Sequence, residues 1–215
     1  MSQQHYGILG VTQGKVGPIV TRRWKKMNIQ QGYNPYVSNP RTPAQQLHRA
    51  KFAFIGHLAG TMLPVLKVGY RAVAEQKGTT EIGCFVKCNW GFLVGSRPDT
   101  VKINPEEMIV ADGRVVPVEF VRPDMEAERK VRFTWSPMGG DSWDSVFVAV
   151  YCPEIDESFL SNAAKRYEQL LVMQLPVHFK DKEIFMYGFV IGSENTMFGG
   201  EASVSSFIWN DVVLP

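Results

Sequence analysis

Between Val131 and Tyr151 the chain reads VRFTWSPMGGDSWDSVFVAVY, with Val131, Phe133 and Trp135, and then Val146, Val148 and Val150, at every second position. Alternation of this kind places one row of side chains on one face of an extended strand. Met138-Gly139-Gly140 between the two runs marks a turn, so a pair of neighbouring strands facing a common core is expected. Trp135 and Trp143 read as packing residues of that core. A lone strand pair is marginal in water, so the pattern also demands further elements to cover it.

The same texture extends on both sides. Segments Val101–Ile103, Met108–Val110, Val115–Val121, Tyr167–Gln174, Ile184–Ile191 and Val204–Trp209 are β-rich and bounded by turn residues such as Asp112-Gly113 and Gly199-Gly200. Roughly six strands after residue 114 at this spacing predict an antiparallel β-sandwich of immunoglobulin or fibronectin type III style.

Before residue 98 the periodicity is helical. Thr42 is placed as an N-cap, Pro43 as the first helical residue and Gln45 as the partner of a capping box. Leu47, Ala50, Phe54, Leu58 and Met62 then follow the three-to-four spacing of an apolar stripe. Gly56 and Gly60 would admit a second backbone closely, and Pro64 would open a second helix, PVLKVGYRAVAEQKG, closed by Gly78. Residues 79–93 suit a short helix and a strand equally. Pro18 to Gln30 reads as a basic hairpin turning at Lys25-Lys26, with Val20, Arg22 and Trp24 on one side and Ile19, Thr21 and Arg23 on the other. The expected class is therefore α+β: residues 1–98 form a basic arm or hairpin plus helices, and residues 99–215 form the sandwich domain.

Charge is segregated along the chain. Residues 1–74 hold ten Lys or Arg and no Asp or Glu; of the 23 basic and 21 acidic residues in all, the remainder carries 13 basic against all 21 acidic ones. Such a basic leader either neutralises nucleic-acid phosphates or pairs with acidic surface, on another protein or on a second copy of the chain.

Chemistry is sparse. GVTQGKVG has three residues where a phosphate-binding loop needs four before Gly-Lys, and Val16 stands where Ser or Thr would bind magnesium. GGDSWDS contains a serine without a positioned histidine base, and His5, His48, His57 and His178 form no ligand set. Cys84, Cys88 and Cys152 are too few for a disulfide framework and read as free thiols. No catalytic residue, metal site or cofactor is assigned, and a non-enzyme is expected. MSQQHYGILG lacks a basic and apolar leader, and no window approaches about 18 apolar residues, so a protein made in a cytoplasm without a membrane span is expected.

GILGVTQGKVGPIV, NPRTPAQQLHRAKFAFIGHLAG, FTWSP and VFVAVY together resemble an uncharacterised family of this size from Bacteroides-type gut bacteria and their phages. The resemblance implies a bacteriophage setting, with localisation in the virion and other virion structural proteins as partners. It supplies no site residues. Combined with the basic leader, it leads to an expected role as a virion structural protein, in head decoration, auxiliary capsid, neck or tail connector. Lys15, Arg22, Arg23, Lys25, Lys26, Arg41, Arg49 and Lys51 would make the interface contacts, with Trp24 and Tyr33 as aromatic anchors in a homo-oligomer. The alternative is nucleic-acid binding through the same residues, with Trp24, Tyr33 and Tyr36 as stacking groups. A weaker third reading is a carbohydrate-binding sandwich that uses exposed aromatics of the C-terminal part.

Overall fold

A computed structural model describes residues 13–24, 27–36, 38–126, 129–136, 139–193 and 200–212. By contacts the chain divides into two units, Met1–Thr42 and Pro43–Pro215.

In the first unit, strands β1 (Gly14–Val16), β2 (Ile19–Trp24) and β3 (Met27–Gly32) form an antiparallel sheet in that order. Val16 pairs with Ile19, leaving Gly17-Pro18 as a two-residue turn. Gly17 takes a φ of +57°, which the mirror-image hairpin turns need and glycine adopts without steric penalty. Trp24 pairs with Met27, so the expected hairpin forms with Lys25-Lys26 between its strands; those two residues themselves lie outside the described ones. Among the described residues of this unit Thr21 alone is buried, and its hydroxyl donates to the Gly14 carbonyl at 3.2 Å.

The second unit begins with α1 (Pro43–Thr61), where Pro43 opens the helix as its missing N–H allows. Ile55, Leu58, Ala59 and Met62 are buried, Phe54 packs beside them, and Leu47 and Ala50 are only half-covered. Gly56 and Gly60, expected to admit a second backbone, instead face open space. The expected second helix is broken into α2 (Leu63–Gly69) and α3 (Arg71–Gln76). Residues 109–112 cause the break. A Cβ on Gly69 would lie 2.7 Å from both Ala111 Cβ and the Val110 carbonyl, Asp112 N–H donates to Gly69, and the buried Tyr70 hydroxyl donates to Ile109 at 2.9 Å. α4 (Glu81–Asn89) resolves the ambiguous stretch as helix, capped by Thr80, whose hydroxyl accepts from Gly83 N–H at 3.1 Å. Cys84 and Cys88 ride on it as free thiols, and burial pushes both above their ordinary pKa. α1 and α2 are each too short or too polar to cross a membrane alone; together they pass by length and composition but bend by 81°, and their apolar sides line a protein core.

Short strands β4 (Leu93–Val94) and β5 (Lys102–Ile103) pair with each other. The remaining strands are β6 (Asp124–Glu126), β7 (Lys130–Thr134), β8 (Ser145–Cys152), β9 (Glu157–Leu160), β10 (Ala164–Lys165), β11 (Leu170–Gln174), β12 (Glu183–Ile191) and β13 (Ser206–Val212). They form two antiparallel sheets: one ordered β11-β7-β6, the other β10-β8-β12-β13 with β9 also on β8. Met108–Val110 and Val115–Val121, expected as strands, run irregularly. Their backbone groups find partners elsewhere: Asn89, fully buried, exchanges two hydrogen bonds of 2.8 Å with the Ile109 backbone, and Ser205 accepts from Val110 N–H.

The chain is thus α+β, with β8 and β12 buried on both faces. Val146, Val148 and Val150 of β8 with Ile184, Met186 and Val190 of β12 meet Val131, Phe133, Leu171 and Met173 of the smaller sheet in one core. Ala149, Tyr151, Phe185, Tyr187 and Phe189 on the opposite face join the helices in a second core. Each fully buried side chain of this size contributes about 1.5–3 kcal/mol, so the aromatic face could not stand uncovered. For that reason the expected boundary at residues 98 and 99 falls inside the second unit, whose helices and strands share one cluster.

Two buried polar groups pin the loops around these cores. Arg166, 1% exposed, ion-pairs with buried Asp144 at 3.1 Å and donates to the Gly139 carbonyl at 2.7 Å and to the Val116 carbonyl. Asp144 also accepts from Ser193 N–H at 2.9 Å and Asp141 N–H at 3.1 Å. Glu201 binds Arg114 through both oxygens and accepts from Gln76 at 2.7 Å; the Arg114 hydrogen bonds hold its carboxyl below the usual carboxylate range. Trp135 is buried as expected, with its indole N–H on the Arg166 carbonyl at 2.9 Å. Trp143, also expected to pack inside, is 59% exposed, because the burial of Asp144 beside it turns the indole outward.

Candidate docking surface

Cross-strand register sorts the side chains of the three-stranded sheet, because directly opposed residues point the same way and neighbours along a strand alternate. Lys15 is opposite Val20 and Val20 opposite Gln31; Arg22 is opposite Ile29, and Trp24 opposite Met27. One face therefore carries Lys15, Arg22, Trp24, Met27 and Ile29. The reverse face carries Thr21, Ile19, Val16 and Arg23, with Arg23 opposite Asn28.

The first face mixes cations with apolar surface left in water. Trp24 is 44% exposed, and Arg22 and Met27 are exposed with it. At one end of the sheet the Lys15 ammonium sits 3.6 Å from the centroid of the Tyr33 ring, while Tyr33 N–H closes onto the Pro18 carbonyl at 2.7 Å. Such a cation–π contact is worth about 0.5–1 kcal/mol in an exposed setting. It fixes an otherwise mobile lysine and presents the pair as one unit.

The expected contact residues thus separate into groups. Lys15, Arg22, Trp24 and Tyr33 are brought together by the sheet; Arg23 lies on its reverse side; Lys25 and Lys26 fall outside the described residues. Arg41 is exposed ahead of α1. Arg49 and Lys51 belong to the second unit: Arg49 lies on an exposed part of α1, and Lys51 Nζ donates to the Leu93 carbonyl at 3.3 Å, a bond that ties α1 to β4. Among the described residues no group of three or more His, Cys, Asp or Glu is placed to hold a metal ion.

Two features escaped sequence reasoning. Met27 and Ile29 join the cationic face through β3, which only the register discloses. Trp143 pairs with the half-exposed ring of Tyr167, centroids 5.4 Å apart, at the lip of a groove in the second unit. The exposed Trp in GGDSWDS was visible as a turn residue, but nothing in a single sequence separates a turn Trp that packs from one that is displayed.

No curated protein matches this chain. A family model described as a family of unknown function, DUF6266, matches residues 11–201.

Proposed function

The chain belongs to the DUF6266 family of unknown function, and on that premise we propose that it is a non-enzymatic assembly protein whose N-terminal sheet docks on a neighbouring protein. One observation carries this reading: a three-stranded sheet with a single buried side chain presents Lys15, Arg22, Trp24, Met27 and Ile29 together on one face. A sheet without a core of its own is marginal unless something covers it. Exposed Trp and Arg surrounded by smaller apolar groups is also the composition of interface hot spots.

The partner we assign is acidic protein surface, in the first instance that of a second copy. Residues 75–215 hold all 21 acidic residues against 13 basic ones, so one copy offers the countercharge for the leader of the next. Head-to-tail contacts of this kind build rings or filaments. The two facing sheets of the second unit support reading it as an immunoglobulin or fibronectin type III kind of sandwich with helices laid over one side. The GKVGPIV and NPRTPAQ stretches support a phage virion as the setting, in head decoration, auxiliary capsid, neck or tail connector.

Nucleic acid is the competing partner, and one engaged cation argues against it. Lys51 donates to the Leu93 carbonyl, which holds it against β4 rather than on a surface that tracks a phosphate backbone. Titrating labelled single- and double-stranded DNA at about 50 and about 200 mM salt separates the partners. Protein docking predicts weak binding that disappears at the higher salt. Tight binding whose salt slope reports several phosphates would transfer the role to nucleic acid.

A further inference from the structure

A groove of about 910 Å³ runs between α2–α3 and one end of the larger sheet. Val68, Phe147 and Ile191 give it apolar stretches, and Lys67, Arg71, Glu75 and Lys165 give it charge, with Ser145 between them. Trp143 stands at its lip, and the loop that carries the ring is fixed from three directions. Trp143 N–H donates to Asp141 at 2.8 Å, its carbonyl accepts from Lys165 Nζ at 3.0 Å, and the next residue is the buried Asp144.

An indole left 59% exposed gives up the stabilisation that burial would supply. Rigid display also lowers the ordering entropy that a ligand would otherwise have to overcome. Tyr167 supports the ring edge-on, at an interplanar angle of 68°. Such a platform suits a flat, partly apolar ring.

The charges define the rest of the ligand. Lys67, Arg71 and Lys165 exceed Glu75, so the groove favours an anion, yet Glu75, 3.5 Å from Arg71, also places an acceptor beside the donors. A polyphosphate backbone has only acceptors and would meet Glu75 with repulsion. Sugar hydroxyls donate as well as accept and can satisfy both kinds of group. We propose that this groove binds an acidic oligosaccharide, with a sugar ring against Trp143 and its acidic group held by Lys67 and Arg71.

The test is a titration of the full chain, followed by calorimetry and indole fluorescence. The probes are uronate-, sulfate- and sialate-bearing tetrasaccharides, a neutral glucose tetramer and tetrathymidylate. At least one acidic tetrasaccharide is expected to bind roughly tenfold more tightly than the glucose tetramer. Trp143→Ala should weaken that binding about tenfold without moving the melting temperature, since the ring is exposed. Lys67→Gln combined with Arg71→Gln should remove the preference for the acidic sugar and leave the neutral one unaffected. Equal or absent binding of all the acidic sugars, binding that survives Trp143→Ala, or tetrathymidylate binding above every sugar would overturn the proposal.

Discussion

Replacing Asp144 by Asn should destabilise the second unit by about 3–5 kcal/mol, the usual loss when one partner of a buried ion pair is removed. Asn keeps the shape and an acceptor oxygen, so the change isolates the charge. It leaves the Arg166 guanidinium, 1% exposed, with neutral acceptors alone, among them the carbonyls of Gly139, Val116 and Pro117, and no countercharge. Water cannot reach it to compensate, and an unpaired charge in that position raises the energy of the folded state alone. Thermal unfolding followed by circular dichroism should show a midpoint lower by on the order of 10 °C. Arg166→Met should be comparably harmful, because it leaves a buried carboxylate without its countercharge and strands the carbonyls of Val116, Pro117 and Gly139. A shift of only a degree or two for both variants would mean that the pair is hydrated in solution.

Gly188→Ala is the second change expected to have a large effect. Gly188 lies inside β12, which is held on both sides by β8 and β13, so the backbone has little room to retreat. A Cβ there would stand 2.0 Å from Cε2 of the Phe120 ring, closer than any real contact. The ring would have to leave its edge-on position against Trp135, where the centroids are 5.9 Å apart. Overpacking of this sort costs about 1–3 kcal/mol, and the central strand places it at the upper end. Phe120→Leu alone should lose about 1 kcal/mol of aromatic packing. In the double variant the two losses should fall well short of additive, since the smaller side chain vacates the space that the new methyl needs. Additive losses in urea unfolding would place the strain elsewhere than at Phe120.

These two sites also show what a single sequence conceals. Strands β7 and β8 were legible because alternation at Val131, Phe133 and Trp135, and again at Val146, Val148 and Val150, reports one covered face. That alternation says nothing of the opposite face of β8, at Ala149 and Tyr151, which is covered as well. Only the helices arriving from residues 43–89 make it interior. The start of α1 was legible because Pro43, whose missing N–H suits the first helical position, acts locally. Its neighbour was not, since the break at Tyr70 is imposed by residues 109–112, some forty positions away. Arg166 and Asp144 look like surface charges in sequence, where burial and pairing leave no local trace.

The candidate docking face was half legible for the same reason. Alternation along β2 places Arg22 and Trp24 together without any tertiary information. Lys15 and Met27 reach that face through the pairing of β1 and β3, and Lys51 leaves the set by bonding to the Leu93 carbonyl. A count of basic residues therefore overstates the contact surface, and the register corrects it.

Sedimentation velocity tests the central claim most directly, run from about 10 to about 500 µM protein at low and at high salt. Docking through the sheet predicts species heavier than the 24.2 kDa monomer that grow with concentration, recede as salt rises, and vanish in Arg22→Glu combined with Trp24→Ala. Both side chains are exposed, so the double variant should keep the wild-type melting temperature. A single 24.2 kDa species at every concentration, or association that the double variant leaves intact, would contradict the account.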